Sequence, residues 1–295
     1  MTLAELDLVL PPNVASGSYI LKPPLIKKSR LTSVDRGGVG KELSDGYVIN
    51  FSIGCMFGCN FCYVPAIQRA YDRRVGTLTV DNDWGYYFAV PKNLAEVIEV
   101  THWTNWKGKE VMLSSTHDAY LPQLYKWTRK ILERALPAGV KFCIQTRSPL
   151  VEQDFSYMEA FRDQIRLQVS VATLNNALSR MIEPRVVPPM RRLEILKHAK
   201  EHTLETGIII APVFPRVKLR PDLESDLDQI ATVLSEIRPD HIYGESLHKR
   251  GTNFTYIEKA IGEKVVIDGL DKEAETLFHS ALGAHNLIGR WWVEK

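Results

Sequence analysis

Three of the chain's four cysteines fall within eight positions, as Cys55, Cys59 and Cys62 in Gly54-Cys55-Met56-Phe57-Gly58-Cys59-Asn60-Phe61-Cys62-Tyr63. Cysteine thiolates hold iron–sulfur clusters, and a complete set is four. Three on one short loop hold three irons of a [4Fe–4S] cubane and leave the fourth open to a small molecule. That arrangement points to chemistry rather than electron storage. Gly54 and Gly58 suit such a loop, because wrapping a cluster demands permissive backbone angles and close approach. Zinc is the competing reading, but it favours paired C-x2-C halves or histidine partners, and His102 and His117 stand at no such spacing. Cys55, Cys59 and Cys62 are therefore the expected metal ligands. The fourth cysteine, Cys143, lies in an apolar run and reads as packed core.

The loop needs a carrier, and Tyr47-Val48-Ile49-Asn50-Phe51-Ser52 is rich enough in strand formers to deliver it. A helix is expected from Val64 to Arg74. From residue 92 onward, helical and strand patterns alternate. The expected strands are Glu110 to Ser114, Val140 to Thr146, Ile165 to Val171, Gly207 to Val213 and Asp240 to Tyr243. Helices are expected over 92–99, around Leu124 to Leu136, near Tyr157 to Asp163, around Leu193 to Ala199, after Asp222 as N-cap, and from Asp271 to Leu282. About six such units imply a parallel sheet with crossover helices. A closed eight-stranded barrel needs about 250 residues for itself. The 295-residue chain therefore fits an α/β fold built as a partial (β/α)6 barrel, with an N-terminal extended arm and a C-terminal helical extension. The expected division is an arm over 1–45, holding Pro11-Pro12 and Pro23-Pro24, and one domain over 46–295.

Parallel barrels gather their active groups at the C-terminal ends of strands. The second strand is followed by Ser114-Ser115-Thr116-His117-Asp118-Ala119-Tyr120, the third by Arg147, and the fourth ends at Ser170. Arg147 offers a fixed fork of donors matched to a carboxylate, with a surface ion pair as the alternative. His117 and Asp118 suit acid–base work or orientation of a polar substrate, with loop capping as the alternative. Tyr120 and Tyr63 suit radical relay or packing. His117, Asp118 and Tyr120 are the candidate catalytic residues.

C-x3-C-x2-C followed by an aromatic, Tyr63, resembles the signature of the radical S-adenosylmethionine (SAM) superfamily. The resemblance implies a (β/α)6 radical SAM barrel, a [4Fe–4S] cluster whose open iron chelates SAM, and reductive cleavage of SAM to a 5′-deoxyadenosyl radical. Such cofactors carry the hard chemistry while the protein orients and shields it. Further segments are similar to the spore photoproduct lyase branch: Gln145-Thr146-Arg147-Ser148-Pro149-Leu150, Ser170-Val171-Ala172-Thr173-Leu174, Ile182-Glu183-Pro184, Ala211-Pro212-Val213-Phe214-Pro215 and Arg250-Gly251-Thr252-Asn253. That likeness implies SAM contacts from Arg147, where relatives usually have lysine, and from Ser170. It places Ser114 and Ser115 near the SAM amino group, Glu183 near the ribose and Tyr243 beside adenine, with Tyr63 also on the cofactor. Two departures bear on the substrate. Relatives often carry Thr-Asp-Pro-Tyr-Gln-Pro where this chain reads Thr116-His117-Asp118-Ala119-Tyr120-Leu121-Pro122. The donor cysteine of the photoproduct lyase also has no counterpart in its usual segment.

Lysine and arginine number 37 against 35 acidic residues, for a net charge of +2, which is not the excess of a general nucleic-acid binder. No run of about eighteen apolar residues indicates a membrane span, and Met1-Thr2-Leu3-Ala4-Glu5 has no secretory character. Clustered cysteines are not a disulfide framework, so a reduced, cytoplasmic setting is expected. The expected substrate is a ribosomally made peptide whose backbone is modified or excised, as by the radical SAM spliceases. A DNA lesion lyase and a non-enzymatic iron–sulfur protein are the alternatives. The expected partners are the precursor peptide, a small leader-binding accessory protein, and reduced flavodoxin or ferredoxin as electron donor.

Overall fold

Alternation of inward and outward side chains along seven parallel strands builds the frame. The computed structural model describes residues 13–29, 43–67 and 84–292. Its strands are β1 (Ala15–Tyr19), β2 (Ile26–Lys28), β3 (Tyr47–Ile49), β4 (Tyr87–Pro91), β5 (Glu110–Leu113), β6 (Lys141–Thr146), β7 (Ile165–Ser170), β8 (Glu205–Val213), β9 (His241–Ser246) and β10 (Arg290–Trp291). The helices are α1 (Leu94–Val100), α2 (Tyr125–Ala135), α3 (Phe155–Glu159), α4 (Asn176–Ile182), α5 (Pro189–Glu201), α6 (Leu223–Ile237), α7 (Asn253–Ile261) and α8 (Leu270–Ala284). The main sheet runs β10-β9-β8-β7-β6-β5-β3-β2. All its neighbours pair in parallel except β2, which lies antiparallel on β3. Strand order follows chain order from β5 to β9, as in a barrel, but β2 and β10 end the sheet without meeting. This is the partial barrel.

The two faces of the strands bury different sets. Ile49, Leu113, Ile144, Leu167, Val169, Ile208 and Ile242 face the helices in one large apolar core. Val48, Met112, Cys143, Ile209 and Tyr243 point the other way and close on Leu43 and Trp292. Each fully buried aliphatic side chain stabilises by about 1.5–3 kcal/mol relative to exposure, so a one-residue register slip would exchange the two sets and forfeit most of that. Helix starts are fixed locally. Asp222 Oδ1 accepts from Ser225 N at 2.9 Å, and Asn175 Oδ1 accepts from Leu178 N at 2.9 Å.

Several elements differ from expectation. The helix expected near Tyr157 to Asp163 is α3, which stops at Glu159, followed by a 3₁₀ turn over Arg162–Gln164. The chain tightens there because Phe161 N donates to the Met158 carbonyl and Gln164 N to the Phe161 carbonyl, three residues back in each case. The N-terminal arm contributes two strands: β1 pairs with β4, and β2 extends the main sheet. Helices α4 and α7 were not expected, and β10 places Trp291 in the outer core and Trp292 in the inner one. Of the helix expected over Val64 to Arg74, residues 64–67 are helical. Residues 68–74 lie outside the described residues, as do Pro11-Pro12.

Candidate active site

The chain passes from β3 into the cysteine loop, which folds back on itself. Gly58 N donates to the Cys55 carbonyl at 3.3 Å and Cys62 N to the Cys59 carbonyl at 3.1 Å. Gly58 has φ +56°, and a Cβ there would lie 1.9 Å from Arg185 Nη2 and 2.9 Å from Gly85 Cα. Conformation and space both demand glycine. Three side-chain hydrogen bonds tie the loop to later parts of the chain. Arg185 Nε donates to the Met56 carbonyl at 2.6 Å while its guanidinium lies 4.7 Å from the Tyr86 ring centroid. Asn60 Nδ2 donates to the Met181 carbonyl at 2.7 Å, and Asn253 Nδ2 to the Phe61 carbonyl at 3.3 Å. Sequence reasoning found the cysteines and missed Arg185, Asn60 and Asn253 as their supports.

Cys55 and Cys59 are buried and Cys62 is partly so. Burial pushes the Cys55 thiol up to about 11, Cys62 to about 12 and Cys59 well above its ordinary value, while the Arg147 guanidinium opposes the rise in all three. Ligands must be deprotonated to bind metal, so a cation beside the three sulfurs favours the bound form. Among the described residues, no three His, Cys, Asp or Glu side chains form a single-ion site. Three thiols spread along a glycine-bent loop suit a polynuclear cluster better than one zinc ion.

Across from the loop, β6 and β7 end in a polar group. Arg147 Nε donates to Glu183 Oε1 at 2.9 Å and its Nη2 to Ser170 Oγ at 2.8 Å. Ser170 Oγ in turn donates to the Ala211 carbonyl at 3.1 Å. Arg147 Nη1 makes no hydrogen bond among the described residues. The guanidinium carbon lies 5.7 Å from the Phe61 ring centroid, within the cysteine loop. Burial works against the Arg147 charge, but Cys59, Glu183, Asp118 and Cys62 outweigh it and keep the group protonated. Arg147, Ser170 and Glu183 thus meet at one point beside the cysteines.

The β5 loop supplies the third side. Tyr63 Oη donates to the Ser115 carbonyl at 2.6 Å. Asn50 clasps Ser115, accepting from its N at 3.0 Å and donating to its Oγ at 3.0 Å. Ser114 Oγ donates to the His117 carbonyl at 2.7 Å and closes the turn. Asp118 accepts three hydrogen bonds, from Tyr120 N at 2.9 Å, Thr146 Oγ1 at 2.7 Å and Arg147 N at 2.7 Å. Burial raises its pKa and those donors oppose the rise. Tyr120 is fully buried, and its hydroxyl donates to Asp154 Oδ2 at 2.9 Å, away from this group. Tyr243 lies in the inner core with Cys143, stacked on Trp292 at 4.9 Å between centroids.

His117 is buried edge-on to Phe51, with 4.8 Å between centroids, and burial lowers its pKa from 6.5 to about 3. The unfolded chain therefore binds the proton first, and stability falls as pH drops from 6.5 toward 3, by about 1.4 kcal/mol per unit, with no effect above 6.5. Urea unfolding of the iron-free chain at pH 5 should show about 2 kcal/mol less stability than at pH 7 from this group. The His117→Gln variant should lack that difference. An identical pH slope in the variant would place the titrating group elsewhere.

The family model for the radical SAM superfamily matches residues 49–224. The chain belongs to the radical SAM superfamily. It is 52% identical over 284 residues to an uncharacterized protein of Acidianus two-tailed virus, covering 96% of this chain and 94% of that one. An uncharacterized protein of Methanocaldococcus jannaschii is 28% identical over 214 residues, covering 72% and 69%. Among solved structures, a spore photoproduct lyase variant superposes with TM-score 0.64 at 14% identity, over 94% of this chain and 82% of that one. Streptococcus suis SuiB bound to S-adenosylmethionine gives TM-score 0.54 at 14% identity, over 83% and 49%. Those likenesses carry the fold. Radical SAM enzymes use a [4Fe–4S] cluster and SAM and draw on an electron donor. No helix among the described residues is long and apolar enough to cross a membrane.

Proposed function

We propose that this radical SAM enzyme acts on a ribosomally made peptide, modifying or excising part of its backbone through C–C bond cleavage. The open sheet supports a polymeric substrate, peptide and DNA alike: among the described residues β2 and β10 end it without pairing to each other. Charge then favours peptide over DNA. Affinity for DNA rests largely on phosphate neutralisation, and 37 basic residues against 35 acidic ones provide little excess for it. SuiB, similar in fold, is described bound to its precursor peptide SuiA.

In this reading Cys55, Cys59 and Cys62 hold the cluster, Arg147 takes the SAM carboxylate, and Ser115 and Tyr63 border its amino end. Cluster and SAM together supply the one-electron chemistry that removes a hydrogen atom from substrate. His117, neutral and buried, and Asp118, saturated by three donors, shape the β5 loop. Tyr120 supports that loop from behind through Asp154. The domain over 46–295 works in a cytoplasmic setting with reduced flavodoxin or ferredoxin as donor and a small leader-binding partner. The resemblance in fold to spore photoproduct lyase, over 94% of the chain, supports a second reading as a DNA lesion lyase. Mass spectrometry of a candidate precursor peptide incubated with the enzyme, alongside an assay on thymine-lesion DNA, separates the two. Repair of the lesion with no mass change in the peptide would overturn the first reading.

Arg147→Ala should weaken SAM binding without removing iron. The lost charge-assisted hydrogen bond is worth about 1.5–3 kcal/mol, or roughly 10–150-fold in Kd. Equilibrium dialysis against SAM checks it, and an unchanged Kd would place Arg147 outside the site.

A further inference from the structure

Glu183 and Ser170 are each gripped twice. Arg192, near the start of α5, is fully buried. Its Nη1 donates to the Ser170 carbonyl at 2.6 Å and to Glu183 Oε1 at 3.1 Å. Its Nη2 donates to Glu183 Oε2 at 2.7 Å and to Ser179 Oγ at 3.3 Å. Arg147 holds the same two residues from the other side, through Glu183 Oε1 and Ser170 Oγ. Both oxygens of Glu183 are therefore engaged by guanidinium groups, which leaves it poorly placed to serve a ribose hydroxyl. Two arginines share the one carboxylate of Glu183, and Asp118 faces Arg147 from the β5 loop. Arg192 has no side-chain exposure and Arg147 has 21%, so of the two guanidinium groups Arg147 is the one that reaches solvent, and its Nη1 makes no hydrogen bond among the described residues.

Left alone with one arginine, a carboxylate takes it in a two-point fork, both oxygens on two nitrogens. Glu183 instead meets Arg147 through a single nitrogen, because Arg192 occupies its other oxygen. We propose that Arg192 is a positioning residue for cofactor binding: by occupying Glu183 and the Ser170 carbonyl, it stops Glu183 from capturing Arg147 and keeps Nη1 aimed at the SAM carboxylate. Glu183 is then the counter-charge of the pair and not a ribose ligand. The inference rests on the assignment of Arg147 to SAM. A guanidinium fixed before the ligand arrives spares the ordering cost that binding would otherwise carry.

A double-mutant cycle tests it: SAM Kd by equilibrium dialysis for the iron-loaded wild type, Arg192→Met, Arg147→Ala and the double variant, with iron content and thermal midpoint measured separately. Arg192→Met should raise Kd about tenfold where Arg147 is present, the scale of coupling within one hydrogen-bond network, and by less than about twofold in the Arg147→Ala background. An equal loss in both backgrounds, or no loss in either, would overturn the inference. Should the methionine variant not fold, Arg192→Lys takes its place in the cycle. Lysine is a point charge that cannot span Glu183 and Ser170 together, so a threefold or greater rise dependent on Arg147 is expected, at roughly the lower end of that coupling. An unchanged Kd for Arg192→Lys would equally overturn the inference. Wild type that binds no SAM would overturn the Arg147 assignment and this inference with it. Wild type that binds SAM but shows no coupling would overturn this inference alone.

Discussion

Alanine at any one of Cys55, Cys59 or Cys62 should leave the anaerobically purified chain without iron, sulfide or visible absorbance, and without SAM cleavage. On the proposed assignment each cysteine supplies one of three protein thiolates, and two cannot anchor a cubane that already lacks a fourth. Asp118 spends its carboxylate on three donors, and burial keeps His117 fixed against Phe51. Cys143 should behave oppositely. It is fully buried in the inner core, and burial pushes its thiol up to about 12. The Cys143→Ala variant should therefore keep its iron and cleave SAM. Loss of iron from that variant would refute a three-cysteine cluster.

Glu183→Gln should be the most destabilising single change away from the cysteines. It strips the fully buried Arg192 of its carboxylate partner and leaves Arg147 with Asp118 as its nearby acidic group. Breaking a buried ion pair by removing one partner costs about 3–5 kcal/mol, whereas replacing the whole group by apolar residues is often nearly neutral. Urea unfolding of the iron-free chain should show that loss for Glu183→Gln. Combining it with Arg192→Met should recover a substantial part, since the second change removes the stranded charge. A loss below about 1 kcal/mol would mean that the cluster of charges is solvated after all.

The framework was legible because it is periodic. Apolar runs at 140–146, 165–171 and 207–213 could hardly be other than strands, and β6, β7 and β8 occupy them. Arg147 was a candidate from its strand end, and Ser170 from the resemblance in its segment. The supports were harder to read, because hydrogen bonds between distant polar residues leave no period in the sequence. Arg191 and Arg192 show the difficulty. As adjacent letters they look alike, yet Arg191 pairs with Glu152 near the surface while Arg192 is fully buried. A signal did exist: Arg192, Leu196 and Ala199 share one face of α5, and all three are buried. Helical phase, applied to a charged residue as strictly as to an apolar one, would have found it. Strand β10 had a similar trace, since Trp291 and Trp292 pack on opposite faces of the sheet.

The supports of the cysteine loop arrive late in synthesis. Arg185 lies 129 residues after the Met56 it holds, Met181 lies 121 after Asn60, and Asn253 lies 192 after Phe61. At roughly 5–20 residues per second on the ribosome, the last of them follows the loop by about 10–40 s. Early in that interval the loop has only its own short-range hydrogen bonds, and until Asn253 arrives it lacks the last of its supports. Iron delivered then would meet an incompletely braced loop. Loading of this protein is thus a maturation step that waits for translation to finish, and nascent chains stalled before Asn253 should carry all their cysteines yet retain no iron.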